Sequence, residues 1–284
     1  MTNPVVANTA LTTSGQPPVL SVRGLSVSYG GVKAVADADL DVPAGQLIAL
    51  IGPNGAGKTT LIDAISGFVR YQGEVRLDGR DLAGLPPHRR AQLGLARTWQ
   101  SIELFDDLSV RENLSVASGR VRGWRTFGEL VGRLRPPSDS INSALSLLGL
   151  EKLADANAAD LSEGQRKLVG IARALVARPR VLCLDEPAAG LDTHESDQLG
   201  RRLRQIVDTG MPILLIDHDM NLVLEVSDHV VVLEFGTVIA SGPPEAVRRD
   251  PRVVAAYLGG EGELDSADTE TAAADQESPN GVAR

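Results

Sequence analysis

The octapeptide Gly52-Pro53-Asn54-Gly55-Ala56-Gly57-Lys58-Thr59 has the spacing GxxxxGK[ST] of a phosphate-binding loop. An apolar run, Gln46–Ile51, precedes it, and a helix-compatible run, Thr59–Ser66, follows it. Glycines let backbone N–H groups converge on a phosphate without interference from a Cβ atom, and a helix N-terminus favours an anion. Lys58 supplies a positive charge for the β- and γ-phosphates, and the Thr59 hydroxyl can bind Mg²⁺. The octapeptide therefore predicts a strand–loop–helix unit that binds a nucleoside triphosphate.

Apolar runs alternate with helix-compatible stretches between Leu20 and Gly260, which is the pattern of an α/β domain. The runs Val181–Leu184 and Ile213–Ile216 are continuous and have polar, Gly or Pro neighbours, as expected for buried strands of a parallel sheet. Additional strands are expected at Leu20–Tyr29, Gly73–Asp78, His229–Leu233 and Thr237–Ala240. Residues 101–160 favour helices. We therefore predict a mainly parallel sheet, an antiparallel β subdomain and a helical insertion.

The composition excludes several classes of protein. The chain has 284 residues, of which 43% are hydrophobic and 23% are charged, as in an ordinary globular protein. Its apolar runs are shorter than the roughly 18 residues that a membrane-spanning helix needs. A net charge of −9 argues against a nucleic-acid partner, which requires a basic surface. The one cysteine, Cys183, permits no internal disulfide and suits a reducing cytosol.

Both ends of the chain differ from the middle. Residues 1–18 are low in complexity and carry no charged side chain, and residues 261–284 contain seven acidic residues and one basic residue. Such segments cannot bury enough apolar surface to offset the entropy lost on ordering. We expect a disordered N-terminal segment over 1–18, one nucleotide-binding domain over 19–260 with its insertion at about 101–160, and an acidic disordered tail over 261–284.

A pair of carboxylates follows the apolar run Val181–Leu184 directly. Asp185, at the carboxyl end of a buried strand, is placed to hold Mg²⁺ directly or through water. Glu186, one residue later, points differently along a strand and could polarise the attacking water. The alternative is an acidic pair that only caps the next turn.

The segment Leu161-Ser162-Glu163-Gly164-Gln165 contains a capping box, S-x-x-Q, in front of a helix-periodic run. That run should stop at Arg178-Pro179 because proline cannot continue a helix. A well-capped helix is one interpretation. However, the segment stands about 20 residues before the carboxylate strand, where it resembles the LSGGQ signature of ATP-binding cassette (ABC) ATPases.

The resemblance to ABC ATPases covers nearly all of residues 20–260 in ordered motifs. Besides the phosphate-binding loop, the signature and Asp185-Glu186, it includes Gln100, Ala189–Asp192 and His218. It implies that two subunits sandwich two ATP molecules, each between the phosphate-binding loop of one subunit and the signature helix of the other. It also implies that His218 contacts the γ-phosphate and helps to hold the water that Glu186 positions. A structural role is the alternative for this histidine.

Two further residues acquire roles from the resemblance. Tyr29, 23 residues before Gly52, matches the aromatic residue that stacks on adenine, although it could also be a packed strand tyrosine. Asp192 matches a dimer-contact aspartate and is also a plausible N-cap for the next helix.

The expected site residues fall into three groups. The catalytic residues are Glu186 and His218. The nucleotide-binding residues are Tyr29, Gly52, Pro53, Asn54, Gly55, Ala56, Gly57, Lys58, Thr59, Thr60, Gln100, Ser162, Gly164, Gln165 and Asp192. The Mg²⁺ ligands are Thr59, Gln100 and Asp185.

Several segments resemble the ATPases of branched-chain amino acid importers. They are Arg97–Gln100, Leu104–Leu114, Glu186–Leu191 and Ala256–Gly259. Trp99 stands where that subfamily has Phe, and Glu163 stands where the general signature has Gly. The resemblance implies an ATP-hydrolysing subunit that energises import of a small solute, with branched-chain amino acids as the expected cargo. ATPases of urea or amide importers and of a lipid or lipopolysaccharide exporter are similar enough to remain alternatives.

Other classes fit less well. A regulatory GTPase would need an N-K-x-D motif, which the sequence lacks, and a non-transport ABC-type ATPase usually carries two cassettes or a long coiled-coil insertion. The resemblance implies ATP, integral membrane permease subunits and a second ATPase subunit, either a copy or a paralogue, as the partners, and no nucleic acid is expected. The chain is expected at the cytoplasmic face of the membrane as a peripheral subunit. In the family, a cleft between the core and the helical insertion, near Gln100, receives a short helix of the permease. The resemblance implies that this permease groove is lined by Leu104, Phe105 and Leu108. The alternative is that these residues belong to the core of the insertion.

Overall fold

A computed structural model describes residues 17–98, 103–117 and 138–261. The strands are β1 (Leu20–Tyr29), β2 (Val32–Val42), β3 (Leu47–Ile51), β4 (Gln72–Leu77), β5 (Arg80–Asp81), β6 (Leu95–Arg97), β7 (Val181–Asp185), β8 (Ile213–Ile216), β9 (His229–Glu234) and β10 (Thr237–Gly242). The helices are α1 (Lys58–Ser66), α2 (Pro87–Leu93), α3 (Val110–Ala117), α4 (Ser138–Leu148), α5 (Glu163–Val176), α6 (Thr193–Asp208), α7 (Met220–Val226), α8 (Pro244–Arg248) and α9 (Pro251–Glu261). Two single 3₁₀ turns occur at Glu151–Leu153 and Ala158–Asp160.

A six-stranded sheet in the order β10-β9-β3-β8-β7-β6 forms the centre of the structure. All its neighbouring strands are parallel except the β9–β10 hairpin, which is antiparallel. Every residue of β3, β7 and β8 is buried. Continuous burial is the property that the unbroken apolar runs predict, because a parallel strand covered on both faces cannot alternate with polar residues.

A second, antiparallel sheet has the order β2-β1-β4-β5. Its strand β1 pairs with β2 across the turn at Gly30-Gly31, and the pairing ends with Tyr29 opposite Val32. Side chains of β3 alternate between two apolar cores because successive strand residues point to opposite faces. Ile48 and Leu50 pack with α1 and the antiparallel sheet, whereas the other three residues of β3 pack with the helices on the opposite face. The α/β fold class with an antiparallel β subdomain is thereby confirmed.

The helical side of the structure consists of α3 and α4 packed against α5, with α4 also contacting α6. Helices α3 and α4 lie within the predicted insertion, of which residues 101, 102 and 118–137 are outside the described residues. The expected disordered ends, 1–18 and 261–284, are likewise outside them apart from positions 17, 18 and 261. These domain boundaries remain predictions.

The local signals around α5 are confirmed. Ser162 Oγ accepts a hydrogen bond from the Gln165 N–H at 3.3 Å, and Gln165 Oε1 accepts one from the Ser162 N–H at 3.0 Å. This reciprocal pair is the predicted capping box. The helix ends at Val176, ahead of Pro179.

None of the described helices combines the length and the apolar character that crossing a bilayer requires.

Candidate functional site

The phosphate-binding loop is confined between β2 and the β9–β10 hairpin. Gly57 has φ +103°, and a Cβ atom there would overlap the carbonyl oxygen of Ala34 in β2. The Gly236 N–H donates to Ala56 O at 2.9 Å, and the Ala36 N–H donates to Gly236 O at 2.8 Å. Backbone therefore packs on backbone at the loop, which only glycine permits at position 57.

Lys58 occupies the interior of this loop. Its Nζ donates hydrogen bonds to Gly52 O at 2.6 Å and to Pro53 O at 2.9 Å. Burial lowers the pKa of the Lys58 ammonium, and the nearby carboxylates of Glu186 and Asp185 act in the opposite direction. The lysine is thus an incompletely hydrated cation beside two anions. A lysine ammonium in a loop of this kind binds phosphate as a point charge.

Three neighbouring strands bring the predicted catalytic segments to one edge of the sheet. Strand β8 lies between β3 and β7, with Ile216 opposite both Leu50 and Asp185. The phosphate-binding loop follows β3, and His218 follows β8. Because the carboxyl ends of parallel strands meet at the same edge, this edge is a ligand-binding position.

Asp185 is buried and paired with an arginine. Its Oδ2 accepts a hydrogen bond from Arg97 at 2.7 Å, and its N–H donates to Thr98 Oγ1 at 3.4 Å. Arg97, at the end of β6, also donates to Asp63 Oδ1 at 2.6 Å. The site reasoning from sequence missed Arg97 and Asp63, since their contacts join positions 34 and 88 residues apart.

Glu186 adopts the left-handed backbone conformation, with φ +49°. This conformation is uncommon for a residue other than glycine and persists only where surrounding bonds impose it. Here the Glu186 N–H donates to Ile216 O at 2.7 Å, and the Glu186 carbonyl accepts from the Ala189 N–H at 3.2 Å. The sharp turn re-aims the chain directly after Asp185, so that the two carboxylates start in different directions.

A buried carboxylate organises the segment that contains His218. Asp217 has no exposed surface. Its Oδ1 accepts from the N–H groups of His218 and Asp219 at 2.8 and 3.0 Å, and its Oδ2 accepts from the Ala188 N–H at 3.0 Å. Asp217 therefore ties the histidine segment to the turn after Glu186. The sequence places Asp217 beside His218, but nothing in it shows the bond to Ala188.

The His218 side chain itself is 61% exposed. It stands beyond the anchored backbone of Asp217, with 3.8 Å between His218 Nδ1 and Asp217 Oδ1. The imidazole is therefore accessible to a ligand at the carboxyl edge of the sheet.

The predicted signature residues lie at the adjoining N-termini of α5 and α6. Asp192 caps α6 by accepting from the Glu195 N–H at 2.8 Å, as predicted for an N-cap. Ser162 is exposed, and its Oγ donates to Glu195 Oε1 at 3.3 Å. A Cβ atom on Gly164 would lie 2.9 Å from the same carboxylate oxygen. Glu163 is exposed in the first turn of α5, where a carboxylate suits the helix dipole.

Lys167 connects the signature helix to the turn after β7. Its buried ammonium donates to the carbonyl oxygen of Ala189. Burial lowers the pKa of Lys167, while the carboxylates of Glu163, Asp217 and Glu186 act in the opposite direction. This lysine, which the sequence interpretation also missed, lies among the acidic groups of the site.

The remaining predicted residues differ in exposure. Tyr29 is 53% exposed at the end of β1, so that its ring is available for stacking. Asn54, Gly55 and Thr59 are exposed, while Pro53 and Thr60 are half-buried. Gln100 lies outside the described residues.

The predicted permease-groove residues do not behave alike. Leu104 is 8% exposed and packs in the core of the helical side, as the alternative interpretation expects. Leu108 is half-buried. Phe105 is 45% exposed beside the guanidinium of Arg173, 5.6 Å from its ring centroid. Only Phe105 of the three presents a large apolar surface.

The oxygen ligands at the carboxyl edge of the sheet suit Mg²⁺ that is bound jointly by the protein and a triphosphate. In the ranges 17–98, 103–117 and 138–261, no three His, Cys, Asp or Glu residues gather as a metal site would require. Mg²⁺ is usually bound by one or two protein oxygen ligands, waters and substrate phosphates. The exposed Thr59 and the fixed carboxylate of Asp185 match this requirement.

Comparisons with known proteins agree with the nucleotide-binding site that the geometry indicates. A family model described as ABC transporter matches residues 35–189, and one described as branched-chain amino acid ATP-binding cassette transporter matches residues 237–263. The high-affinity branched-chain amino acid transport ATP-binding protein BraF of Pseudomonas aeruginosa is 40% identical over 253 residues, covering 85% of this chain and 98% of BraF. The LivG protein of the same description in Escherichia coli K12 is 40% identical over 252 residues, with the same coverage. A crystal structure of an ATP-binding cassette of an ABC transporter in its ADP conformation gives a TM-score of 0.75 at 29% identity, covering 86% of this chain and 100% of that one.

Proposed function

Because this chain belongs to the ABC transporter family of ATP-binding proteins, we propose that it is the ATP-hydrolysing subunit of an importer of branched-chain amino acids. One observation carries the ATPase assignment. Three adjacent parallel strands bring the phosphate-binding loop, Glu186 and His218 to one edge of the sheet. The cargo rests on the match of residues 237–263 and on the similarity to BraF and LivG, which are branched-chain amino acid transport ATP-binding proteins.

Triphosphate binding begins with the exchange of partners at Lys58. In the structure its ammonium is bonded to the carbonyls of Gly52 and Pro53. On binding, β- and γ-phosphate oxygens take over these bonds, and the N–H groups of the loop surround the phosphates. Charge-assisted bonds to phosphate are stronger than bonds to carbonyls. Tyr29 stacks on the adenine with its exposed ring.

Thr59, Gln100 and Asp185 would hold Mg²⁺ beside the phosphates. The bound ion would neutralise charge that develops on the β- and γ-phosphates during transfer. The chain's own contribution is to keep Asp185 immobile at the end of β7 through its bond to Arg97.

Hydrolysis uses the two residues that follow β7 and β8. Glu186 accepts a proton from the attacking water, and the imposed turn at this residue fixes where its side chain starts. His218 contacts the γ-phosphate and orients the same water. The carboxylate of Asp217 holds these two segments in register, because its bonds span Ala188 and His218.

A second ATPase subunit, identical or paralogous, completes each site. Ser162, Gly164 and the capped N-terminus of α5 face the γ-phosphate held by the partner, where the helix dipole favours the anion. Gln165 supports this end of α5 through the capping box, and Asp192 lies at the contact between subunits. The bond from Ser162 to Glu195 is replaced by a bond to phosphate in this state.

The transporter context follows from the family. Phe105, on the helical side, contacts integral membrane permease subunits at the cytoplasmic face of the membrane. Nucleic acid is not a partner. Closure of the two subunits around ATP then moves the helical side as a rigid body.

The cargo is tested in proteoliposomes that contain the chain, the permease subunits that co-purify with it and their solute-binding protein. We expect ATP-dependent uptake of radiolabelled leucine, isoleucine or valine, which ADP does not support. Urea, short amides and lipid serve as the competing substrates. Transport of one of these, with no uptake of the three amino acids, would contradict the proposed cargo while leaving the ATPase intact.

A further inference from the structure

Arg97 bridges two carboxylates at the edge of the site. Its two terminal nitrogens bind different partners, Asp63 Oδ1 at 2.6 Å and Asp185 Oδ2 at 2.7 Å. The side chains are 6% exposed for Arg97, 10% for Asp185 and 26% for Asp63. We call these three residues the Arg97 clamp. Charge-assisted bonds with such limited exposure to water are the stronger kind of ion pair.

The clamp joins the two elements that supply protein ligands for Mg²⁺. Asp63 lies in α1, four residues after Thr59 and therefore on the same face of the helix, one turn further along. Asp185 ends β7. Arg97 ends β6, whose register puts it opposite Cys183 of β7. The guanidinium thus sets the distance between the helix of the phosphate-binding loop and the strand that carries the carboxylate.

Two physical effects of Arg97 have opposite consequences for Mg²⁺ binding. A fixed positive charge near the carboxylate repels a second cation, so that its loss would strengthen metal binding. A rigid planar fork, in contrast, holds Oδ2 of Asp185 in place and restricts the orientation of the carboxylate, so that its disturbance would weaken metal binding. Partners that orient ligands in this way typically change metal affinity or activity by about 10- to 100-fold when mutated.

We propose that Arg97 is a positioning residue that holds Asp185 at a fixed distance from Thr59 and so prepares the site for Mg²⁺ with bound ATP. This role rests on the proposed ATPase function. The fork matters more than the charge, because Arg97 uses separate nitrogens for two carboxylates on different elements. A lysine ammonium is a point charge on a flexible stem and cannot reproduce that geometry.

The test uses two variants that keep every charge but change the geometry, Arg97→Lys and Asp63→Glu. Arg204→Lys is the matched control. Arg204 also binds a carboxylate, Asp228 at 3.0 Å, but at the amino edge of the sheet, where Asp228 also binds the Leu47 N–H. The full-length chain is titrated with Mg²⁺ in the presence of a fluorescent ATP analogue, and the same binding is measured in EDTA.

For Arg97→Lys we expect the Mg²⁺ concentration at half-maximal binding to rise by about 10- to 100-fold. Asp63→Glu should shift it in the same direction by a smaller factor. Binding in EDTA and circular dichroism should remain as in the wild type, and Arg204→Lys should change neither titration. A purely structural role would instead reduce binding with and without Mg²⁺ alike.

Unchanged or tighter Mg²⁺ dependence in Arg97→Lys would overturn the positioning role, as would an equal loss of binding in EDTA. If Arg97→Lys does not fold, Asp63→Glu decides the question alone, because Asp63 is partly exposed. The proposed function is judged separately from the wild type and the Arg204→Lys control. If these two do not hydrolyse ATP in the assembled transporter, where the second ATPase subunit is present, the proposed function fails. If they do and both clamp variants titrate like the wild type, only the role of Arg97 fails.

Discussion

Replacing Gly57 by alanine should disable the phosphate-binding loop because this position has no room for a Cβ atom. Gly57 has φ +103° and immediately precedes α1. Its added methyl group would overlap Ala34 O, and it would also lie 3.3 Å from Leu233 Cδ2 and 3.4 Å from Val35 Cγ2. Relief requires movement of β2 or of the loop, since the overlapping atom belongs to backbone.

The neighbouring glycine provides the matched comparison. Gly55 has φ +77°, but an added Cβ there would meet no heavy atom within 4 Å. Left-handed backbone costs an alanine about 1–2 kcal/mol at either position. Overpacking adds about 1–3 kcal/mol at Gly57 alone. We therefore expect Gly57→Ala to lose about 2–5 kcal/mol of unfolding free energy and Gly55→Ala only about 1–2 kcal/mol.

Urea unfolding of the two variants without nucleotide measures this difference directly. Binding of a fluorescent ATP analogue then shows whether the loop keeps its shape, and Gly57→Ala should bind it far more weakly than the wild type. Equal destabilisation by the two substitutions would refute the steric reasoning. So would a Gly57→Ala protein that unfolds and binds like the wild type.

Two more predictions concern the surfaces that meet other subunits. Glu163→Gly should leave the ATPase rate of the assembled transporter within a few-fold, because Glu163 is exposed and we expect its side chain to point away from the phosphate. Ser162→Arg should instead block the ATP-bound dimer. A comparable collapse of activity in both would mean that the Glu163 carboxylate takes part in the site. Phe105→Asp should abolish co-purification with the permease while ATP binding persists, and Phe235→Asp, at an 87% exposed phenylalanine in the β9–β10 turn, should leave both unchanged. An intact complex with Phe105→Asp would rule out this docking role.

The sequence predicts best where a single local cause determines the structure. The strands β3, β7 and β8 are unbroken apolar runs, and their complete burial follows from that composition. The capping box at Ser162 and the N-cap at Asp192 depend on residues three positions apart, so the pattern specifies them completely.

The sequence pattern does not predict contacts between segments that are distant along the chain. Strand β2 is absent from the strands expected from the sequence, although its residues 36–42 alternate apolar residues with aspartate, as a half-buried strand does. Three sets of hydrogen bonds can be inferred only once the sheet order is known. They are those of Arg97, that of Lys167 to Ala189 and that of Asp217 to Ala188. Leu104 and Phe105 are adjacent apolar residues, yet only the fold shows that the first is buried and the second is not.

Steady-state ATP hydrolysis by Glu186→Gln tests the central assignment most directly. The substitution keeps the shape of the side chain but removes the base, so hydrolysis should fall by about 10²- to 10⁴-fold while ATP affinity persists and a nucleotide-bound dimer accumulates. Glu245→Gln, the same change at an exposed position in α8, is the control and should hydrolyse ATP like the wild type. Hydrolysis at the wild-type rate in Glu186→Gln, or loss of ATP binding together with hydrolysis, would contradict the assignment of Glu186 as the base.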